Sequence, residues 1–366
     1  MRYSDEFRNE RLVKKAAGRI RQSAPPGIFK IMEVCGTHTQ SFFRFGLDQL
    51  LPANLEFIAG PGCPVCVSPQ DYIDRAIAYT HCPETCVLTF GDMLRVPGTL
   101  SSLDNERSKG HPVHVVYSPL DALTFAIRHP SVKVVFLAVG FETTACTIAQ
   151  TVLLAERQKL KNLFFFSSLK TIPAAMRMLL ADAALGISAF LCPGHVSAII
   201  GTKPYEFIPQ RFGIGCCVAG FEPLDILEGI YLLVRQIVDS KPKVENQYAR
   251  VVTRNGNASA QACIRRVFVP RDALWRGLGV IPASGLALRP KFEQFDAAHA
   301  LPVRLKKHKP DARQKLCRCG EVIKGLIRPD ECALFRKSCT PVNPWGPCMV
   351  SSEGACNAYY TYRHRR

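Results

Sequence analysis

Six of the chain's 16 cysteines fall in its last 50 residues, at Cys317, Cys319, Cys332, Cys339, Cys348 and Cys356. Thiolates gathered this densely in a Gly- and Pro-rich stretch are the donor set of an iron–sulfur cluster or a structural zinc site. A disulfide framework is the competing use, and it suits exported chains. Here the N-terminus, M-R-Y-S-D-E-F-R-N-E-R-L, is charged and lacks the apolar core of a secretory signal. The expected compartment is the reducing cytoplasm, where clustered cysteines more often serve metal or redox chemistry.

Upstream, five short motifs each follow a predicted strand, the edge at which open α/β sheets bind ligands. In E-V-C-G-T-H, His38 lies three residues after Cys35, and an imidazole at that spacing can deprotonate or orient the thiol. The bland alternative, a buried structural cysteine, is equally open. In G-P-G-C-P-V-C-V-S-P, Cys63 and Cys66 form a C-x-x-C at a predicted helix start. Helix-start amides lower a thiol pKa, so a redox dithiol is preferred to a structural pair or a pair of metal ligands. T-F-G-D-M-L-R-V-P-G offers Asp92 and Arg95, and G-F-E-T-T offers Glu142; either carboxylate serves as a ligand-orienting group or a helix cap. C-P-G-H-V-S-A-I-I-G adds Cys192 and His195. Cys82, Cys86, Cys146, Cys216, Cys217 and Cys263 read as structural. Neither a G-x-x-x-x-G-K-[ST] loop nor a G-x-G-x-x-G fingerprint is present, which disfavours a nucleotide site of standard design.

The elements that must position these motifs alternate. Apolar runs of strand length at 28–34, 56–59, 86–90, 113–117, 132–139, 163–167, 189–191 and 215–219 are separated by predicted helices at 69–79, 119–128, 143–157, 173–184 and 223–238. That alternation predicts an α/β protein with parallel sheets. The expected organisation is an α/β domain at 27–128, a second at 129–290 and a small cysteine-rich iron–sulfur domain at 291–366. An N-terminal helix within 1–26 is expected to pack on the last of these. From 241 to 290 the pattern loosens, and 291–316 reads as a basic connection.

At 366 residues, two or three domains are the better prior. With 47% hydrophobic and 21% charged residues, the composition is that of a folded soluble protein. No uncharged apolar run approaches the ~18 residues of a transmembrane helix, so no membrane partner is expected. The net charge of +17 raises a nucleic-acid reading, but its densest patch, R-L-K-K-H-K-P-D-A-R-Q-K at 304–315, carries no recognition motif or interleaved aromatics. An acidic protein partner accounts for the charge as well.

Taken as an ordered set, M-E-V-C-G-T-H-T, G-P-G-C-P-V-C, F-G-D-M-L-R-V-P-G, G-F-E-T-T-A, C-P-G-H-V-S-A-I-I-G and C-T-P-x-x-P-x-G-x-C-M-V-S-S-E-G-A-C-x-A-Y resemble the HypD family of hydrogenase maturation factors across residues 31–360. The resemblance implies two α/β domains plus an iron–sulfur domain. It implies a scaffold that works with the small chaperone HypC to assemble the Fe(CN)2CO unit of nickel–iron hydrogenase. HypE delivers the cyanide, made from carbamoyl phosphate by HypF. Cys35 corresponds to the cysteine that holds the iron under construction, shared with a HypC cysteine, and His38 tunes or orients that site. Cys63 and Cys66 match the redox-active pair, and Glu142 and His195 match polar positions lining the same cleft. The family spacing C-x14-C-x6-C-x16-C assigns Cys317, Cys332, Cys339 and Cys356 to a 4Fe-4S cluster, leaving Cys319 and Cys348 as non-ligands. Outside its complex the chain is expected to be monomeric. Two rival readings are a thiol–disulfide oxidoreductase fed by an iron–sulfur cluster, which needs Cys63 and Cys66 but not Cys35, and a zinc-holding interaction protein.

Overall fold

Apolar runs in the sequence become strands covered on both faces, as parallel sheets require. Every residue of β3 (Thr85–Thr89) and β8 (Gly215–Ala219) is buried, as are seven of the eight in β5 (Lys133–Gly140). The computed structural model describes residues 5–305 and 316–363. Most of the basic patch at 304–315 therefore lies outside the described residues.

Among these, nine strands form two parallel sheets. One has the order β2-β1-β7-β8-β9, with β1 at Phe29–Glu33, β2 at Leu55–Ala59, β7 at Ile187–Pro193 and β9 at Val244–Asn246. The other has the order β4-β3-β5-β6, with β4 at Val113–Val115 and β6 at Leu163–Leu169. The α/β class expected from the alternation is thus the observed one.

The division expected at residues 128 and 129 falls between β4 and β5, which share a sheet, while the other sheet joins β1 and β2 to β7, β8 and β9. Parallel strands are linked by crossovers, so a sheet need not be one stretch of chain. The two α/β units interleave in sequence.

The N-terminal helix, Glu10–Ser23, is capped by the Asn9 side chain, which accepts from Leu12 N–H at 3.1 Å. Its apolar stripe of Val13, Ala16, Ala17 and Ile20 lies along helix Pro223–Val238. Arg8 and Arg19 pair with Glu222 and Glu228 beside it. The helix was expected on the cysteine-rich segment, but a stripe at helical spacing finds its match on another amphipathic helix.

In the loosened stretch, sequence periodicity misses an antiparallel hairpin, β10 (Phe268–Trp275) and β11 (Gly279–Leu288). Its register shifts between Arg271 and Ala273, which breaks the period-2 alternation that would have marked it. The turn of the hairpin places Gly277 against Gly320 in the cysteine-rich lobe.

Candidate metallocentre site

Neighbouring parallel strands end at the same edge, so the turns that follow them meet. Glu33 at the end of β1 pairs with Ala59 at the end of β2. Just beyond these ends, C-G-T-H and G-P-G-C pack backbone to backbone. Gly36 N–H donates to Gly62 O at 3.0 Å, and a Cβ on Gly62 would stand 2.2 Å from Cys35 N. Cys35 is buried at the N-cap of helix Gly36–Arg44. Cys63 caps helix Pro64–Val67, its Sγ accepting from Cys66 N–H at 3.2 Å, and the two cysteines are joined as a disulfide. With Gly36, Thr39, Cys348 and Glu353 they line a cavity of about 10 Å³, room for roughly one water.

The electrostatics of this edge oppose a free thiolate. Burial, reinforced by the Glu353 and Glu33 charges, pushes the Cys35 thiol up to about 12. Burial also pushes the Glu33 carboxyl up to about 8, although the Thr39 hydroxyl and Cys35 N–H, the latter at 2.7 Å, both donate to it. His38 Nε2 faces the carbonyl oxygens of Ala219, the last residue of β8, at 3.2 Å and of Gly220 at 2.9 Å. Carbonyls only accept, so Nε2 carries the proton and Nδ1 keeps a bare lone pair, buried and without a partner. Burial pushes His38 down to about 4, so the ring is neutral near pH 7. An imidazole so weakly basic does not deprotonate a thiol at about 12. Of the two roles expected of His38, deprotonating or orienting the thiol, a neutral ring anchored to the neighbouring strand end suits the second.

His195, after β7, stacks on Phe221 with ring centroids 3.9 Å apart, and Phe221 also meets the His38 ring at 4.8 Å. The strand order β1-β7-β8 thus gathers Cys35, His38, His195 and Phe221 at one edge. Glu142 follows β5 in the other sheet. Its Oε1 accepts from Ile172 N–H at 3.1 Å, its Oε2 is buried without a partner, and it is not among the residues lining the Cys63–Cys66 cavity.

Cys317, Cys319, Cys332, Cys339 and Cys356 line one cavity, while Cys348 lines the cavity at Cys63 and Cys66. The Cys317 and Cys319 sulfurs are 3.2 Å apart, and Cys319 also makes thiol contacts with Cys348 and Cys356. The Cys319 contact draws Cys317 down to about 7, against burial and helped by the charge of Arg276.

Arg276 comes from the hairpin turn. Its Nε donates to Ser68 O at 2.8 Å, while Nη2 is buried with no hydrogen-bond partner, and its charge faces the Cys319, Cys317 and Cys348 thiols. A Cβ on Gly346 would stand 2.5 and 2.6 Å from the Cys317 and Cys319 sulfurs, so glycine keeps that side of the thiol lobe open. An unsatisfied cation beside a thiol-lined cavity fits an anionic thiolate-bound metal cluster.

Three upstream groups clamp this lobe. Thr37 Oγ1 donates to Glu353 Oε1 at 2.7 Å, Ser351 Oγ donates to Asp92 Oδ2 at 2.6 Å, and Arg95 Nη1 donates to Pro341 O at 2.9 Å. Asp92 and Arg95, read from sequence as ligand-orienting or capping groups, hold the C-terminal segment. Glu33, Phe221, Arg276 and Glu353 were missed by sequence reasoning. A lone carboxylate closing the mostly apolar strand β1 was a usable signal for Glu33; Arg276 had none while the hairpin went unrecognised.

Two parallel sheets, one with Cys35 and Cys63 just past its strand ends, facing a clamped cysteine-rich lobe, define an α/β protein whose clustered thiols are a donor set suited to a metal. The HypD family model, described as "Hydrogenase formation hypA family", matches residues 11–363. "Hydrogenase maturation factor HypD" of Escherichia coli (strain K12) is 47% identical over 378 residues, covering 100% of this chain and 99% of that protein. "Hydrogenase expression/formation protein HupD" of Azotobacter chroococcum is 43% identical, with 100% and 98% covered. "Hydrogenase maturation factor HypD" of Cupriavidus necator is 42% identical, with 99% and 97% covered. The chain belongs to the HypD family of hydrogenase maturation factors.

Proposed function

We propose that the chain is a cytoplasmic scaffold on which, together with a HypC-type chaperone, the Fe(CN)2CO moiety of nickel–iron hydrogenase is assembled, with cyanide accepted from a HypE-type donor. The iron is cargo, held at Cys35 and shared with a chaperone cysteine. The observation that carries this reading is the meeting of the Cys35 loop with the Cys63–Cys66 helix at one sheet edge.

The residues there suit a cation. Loading a metal at Cys35 displaces the thiol proton, and the Glu353 charge that helps to hold this proton in place favours a cation once it has arrived. Neutral His38, fixed through Nε2, keeps that edge of the site rigid without adding positive charge. The Cys63–Cys66 pair stands between this loop and Cys348 of the lobe, placed to pass electrons while ligands are attached. Cys317, Cys332, Cys339 and Cys356 hold a 4Fe-4S cluster, with Arg276 offsetting its negative charge. When bound, that cluster supplies one-electron redox capacity.

The test is Cys35→Ala in cells that require the chain for hydrogenase activity, with infrared spectroscopy of the anaerobically purified chaperone complex. Loss of maturation together with loss of bound cyanide and carbon monoxide bands is expected. Full maturation by the variant overturns the scaffold reading. A thiol–disulfide oxidoreductase also uses the Cys63–Cys66 disulfide, but it needs no cation site at Cys35, so it predicts an unimpaired variant.

A further inference from the structure

On the four-stranded-sheet unit, away from the thiol lobe, three side chains from separate elements converge. His81 caps the end of helix Gln70–Thr80, Glu106 lies in helix Leu103–Ser108, and His111 lies two residues before β4. Gly110, at φ +91°, turns the chain back so that His111 N–H donates to Glu106 O at 3.1 Å. That left-handed turn brings the His111 ring beside the His81 ring, with centroids 4.1 Å apart.

The Glu106 side chain is only 2% exposed. Its Oε1 is committed, accepting from Ser101 Oγ and from Lys109 Nζ at 2.8 Å. Its Oε2 receives no hydrogen bond, although His81 Nε2 lies 3.0 Å away and His111 Nε2 3.6 Å away. One donor atom from each of the three residues lies within 4.8 Å of the others.

An ordinary imidazole–carboxylate ion pair would aim an N–H at the buried oxygen. Here that oxygen is bare, while its twin is fixed by two donors, the second-layer arrangement that orients a ligating carboxylate. Both imidazoles are reached from solvent, with side chains 50% and 32% exposed at His81 and His111. They open onto a cleft of about 600 Å³ that His114 and His129 also line.

We propose that His81, Glu106 and His111 form a site for one divalent first-row transition-metal ion. Two imidazoles and one carboxylate suit a borderline ion of the zinc, cobalt or nickel type, and three protein ligands leave coordination positions open toward the cleft. The site is separate from the cysteine lobe and from Cys35, and stands or falls independently of the scaffold function.

Co2+ binding to the full-length reduced chain, measured by equilibrium dialysis with metal analysis, tests it against the His81→Asn/His111→Asn double variant. Both rings are partly exposed, so the fold is kept, and the cysteine background is common to both chains. The wild type is expected to bind one equivalent more than the double variant, and the difference spectrum to lack cobalt–thiolate charge-transfer absorption. Glu106→Gln, checked for an unchanged circular dichroism spectrum, removes a direct ligand and is expected to weaken that equivalent by at least the roughly 10–100-fold lost with an outer-shell partner. Equal stoichiometry in wild type and double variant, or a thiolate band in the difference spectrum, overturns the proposal.

Discussion

Thr37 Oγ1 donates to Glu353 Oε1 across 2.7 Å, joining residues 316 positions apart in the chain. Next to it, a Cβ on Gly36 would stand 2.5 Å from both Cβ and O of Glu353. The loop that carries Cys35 and the lobe that carries the six clustered thiols therefore touch through backbone as well as side chain. The cysteine tail and the strand-end motifs belong to one assembly.

Gly36→Ala inserts a methyl group where no space exists, and such overpacking costs about 1–3 kcal/mol. The chain is expected to lose that much stability in urea denaturation and to lose hydrogenase maturation in cells. Thr37→Val removes only the donor to Glu353 and is expected to cost about 1 kcal/mol. Equal stability of Gly36→Ala and wild type would show that the lobe does not pack on this loop.

Burial pushes the Glu142 carboxyl from its ordinary 4.5 up to about 7, against the hydrogen bond it accepts from Ile172 N–H. Between those two values the native state holds a proton that the unfolded chain has released. Stability from this group therefore falls as pH rises from about 4.5 to 7, by roughly 3 kcal/mol, and is flat above. Glu142→Gln keeps an oxygen for Ile172 and does not titrate. Relative to wild type it is expected to gain stability across that window in denaturation series at successive pH values. A difference between the two chains that does not change with pH would refute the shift.

Asp225 is fully buried beneath Arg250, which donates to it from Nη1 at 2.8 Å and Nη2 at 2.5 Å, while Gln247 adds a third bond at 2.7 Å. Arg250→Ala leaves that carboxylate without a countercharge, at a cost of roughly 3 kcal/mol. Because the pair supports the turn after β8 from below, most of the loss is expected in equilibrium unfolding. The double variant Arg250→Ala/Asp225→Ala is expected to recover part of it, and no recovery would mean that packing rather than charge sets the cost.

Arg276 faces the thiol lobe with an unpaired Nη2. A nearby cation favours the more negative, reduced state of a cluster. Arg276→Gln is thus expected to lower the midpoint potential of the 4Fe-4S cluster proposed above. A loss of ~1 kcal/mol of charge interaction corresponds to roughly 45 mV for a one-electron couple. Electrochemistry of the reconstituted protein reads this directly, and an unchanged or raised potential would remove Arg276 from any role there.

Local signals were legible where local physics decides. Helices 119–128 and 223–238 and the strand at 215–219 were readable to the residue, because each opens or closes on a capping Ser, a Pro at the first helical turn or a Gly-bounded apolar run. Hairpin β10–β11 was not legible, since Pro270, Arg271 and Asp272 interrupt its alternation and a register shift completes the disguise.

By itself, then, the amino-acid sequence determined the α/β class, the placing of Cys35, Cys63, Cys66 and His195 just past strand ends, and the supply of thiols in the tail. Period, turn chemistry and donor type are properties of neighbouring residues. Tertiary structure alone decided that β1 pairs with both β2 and β7, so that the Cys35 loop meets Gly62, next to Cys63, on one side while His38 reaches the carbonyls at the end of β8 on the other. It also set Arg276 beside the cysteines, turned His38 neutral and raised the Cys35 thiol. Strand partnership, burial and the charges that surround a group come from residues far apart in the chain, and only the folded packing brings them within range of one another.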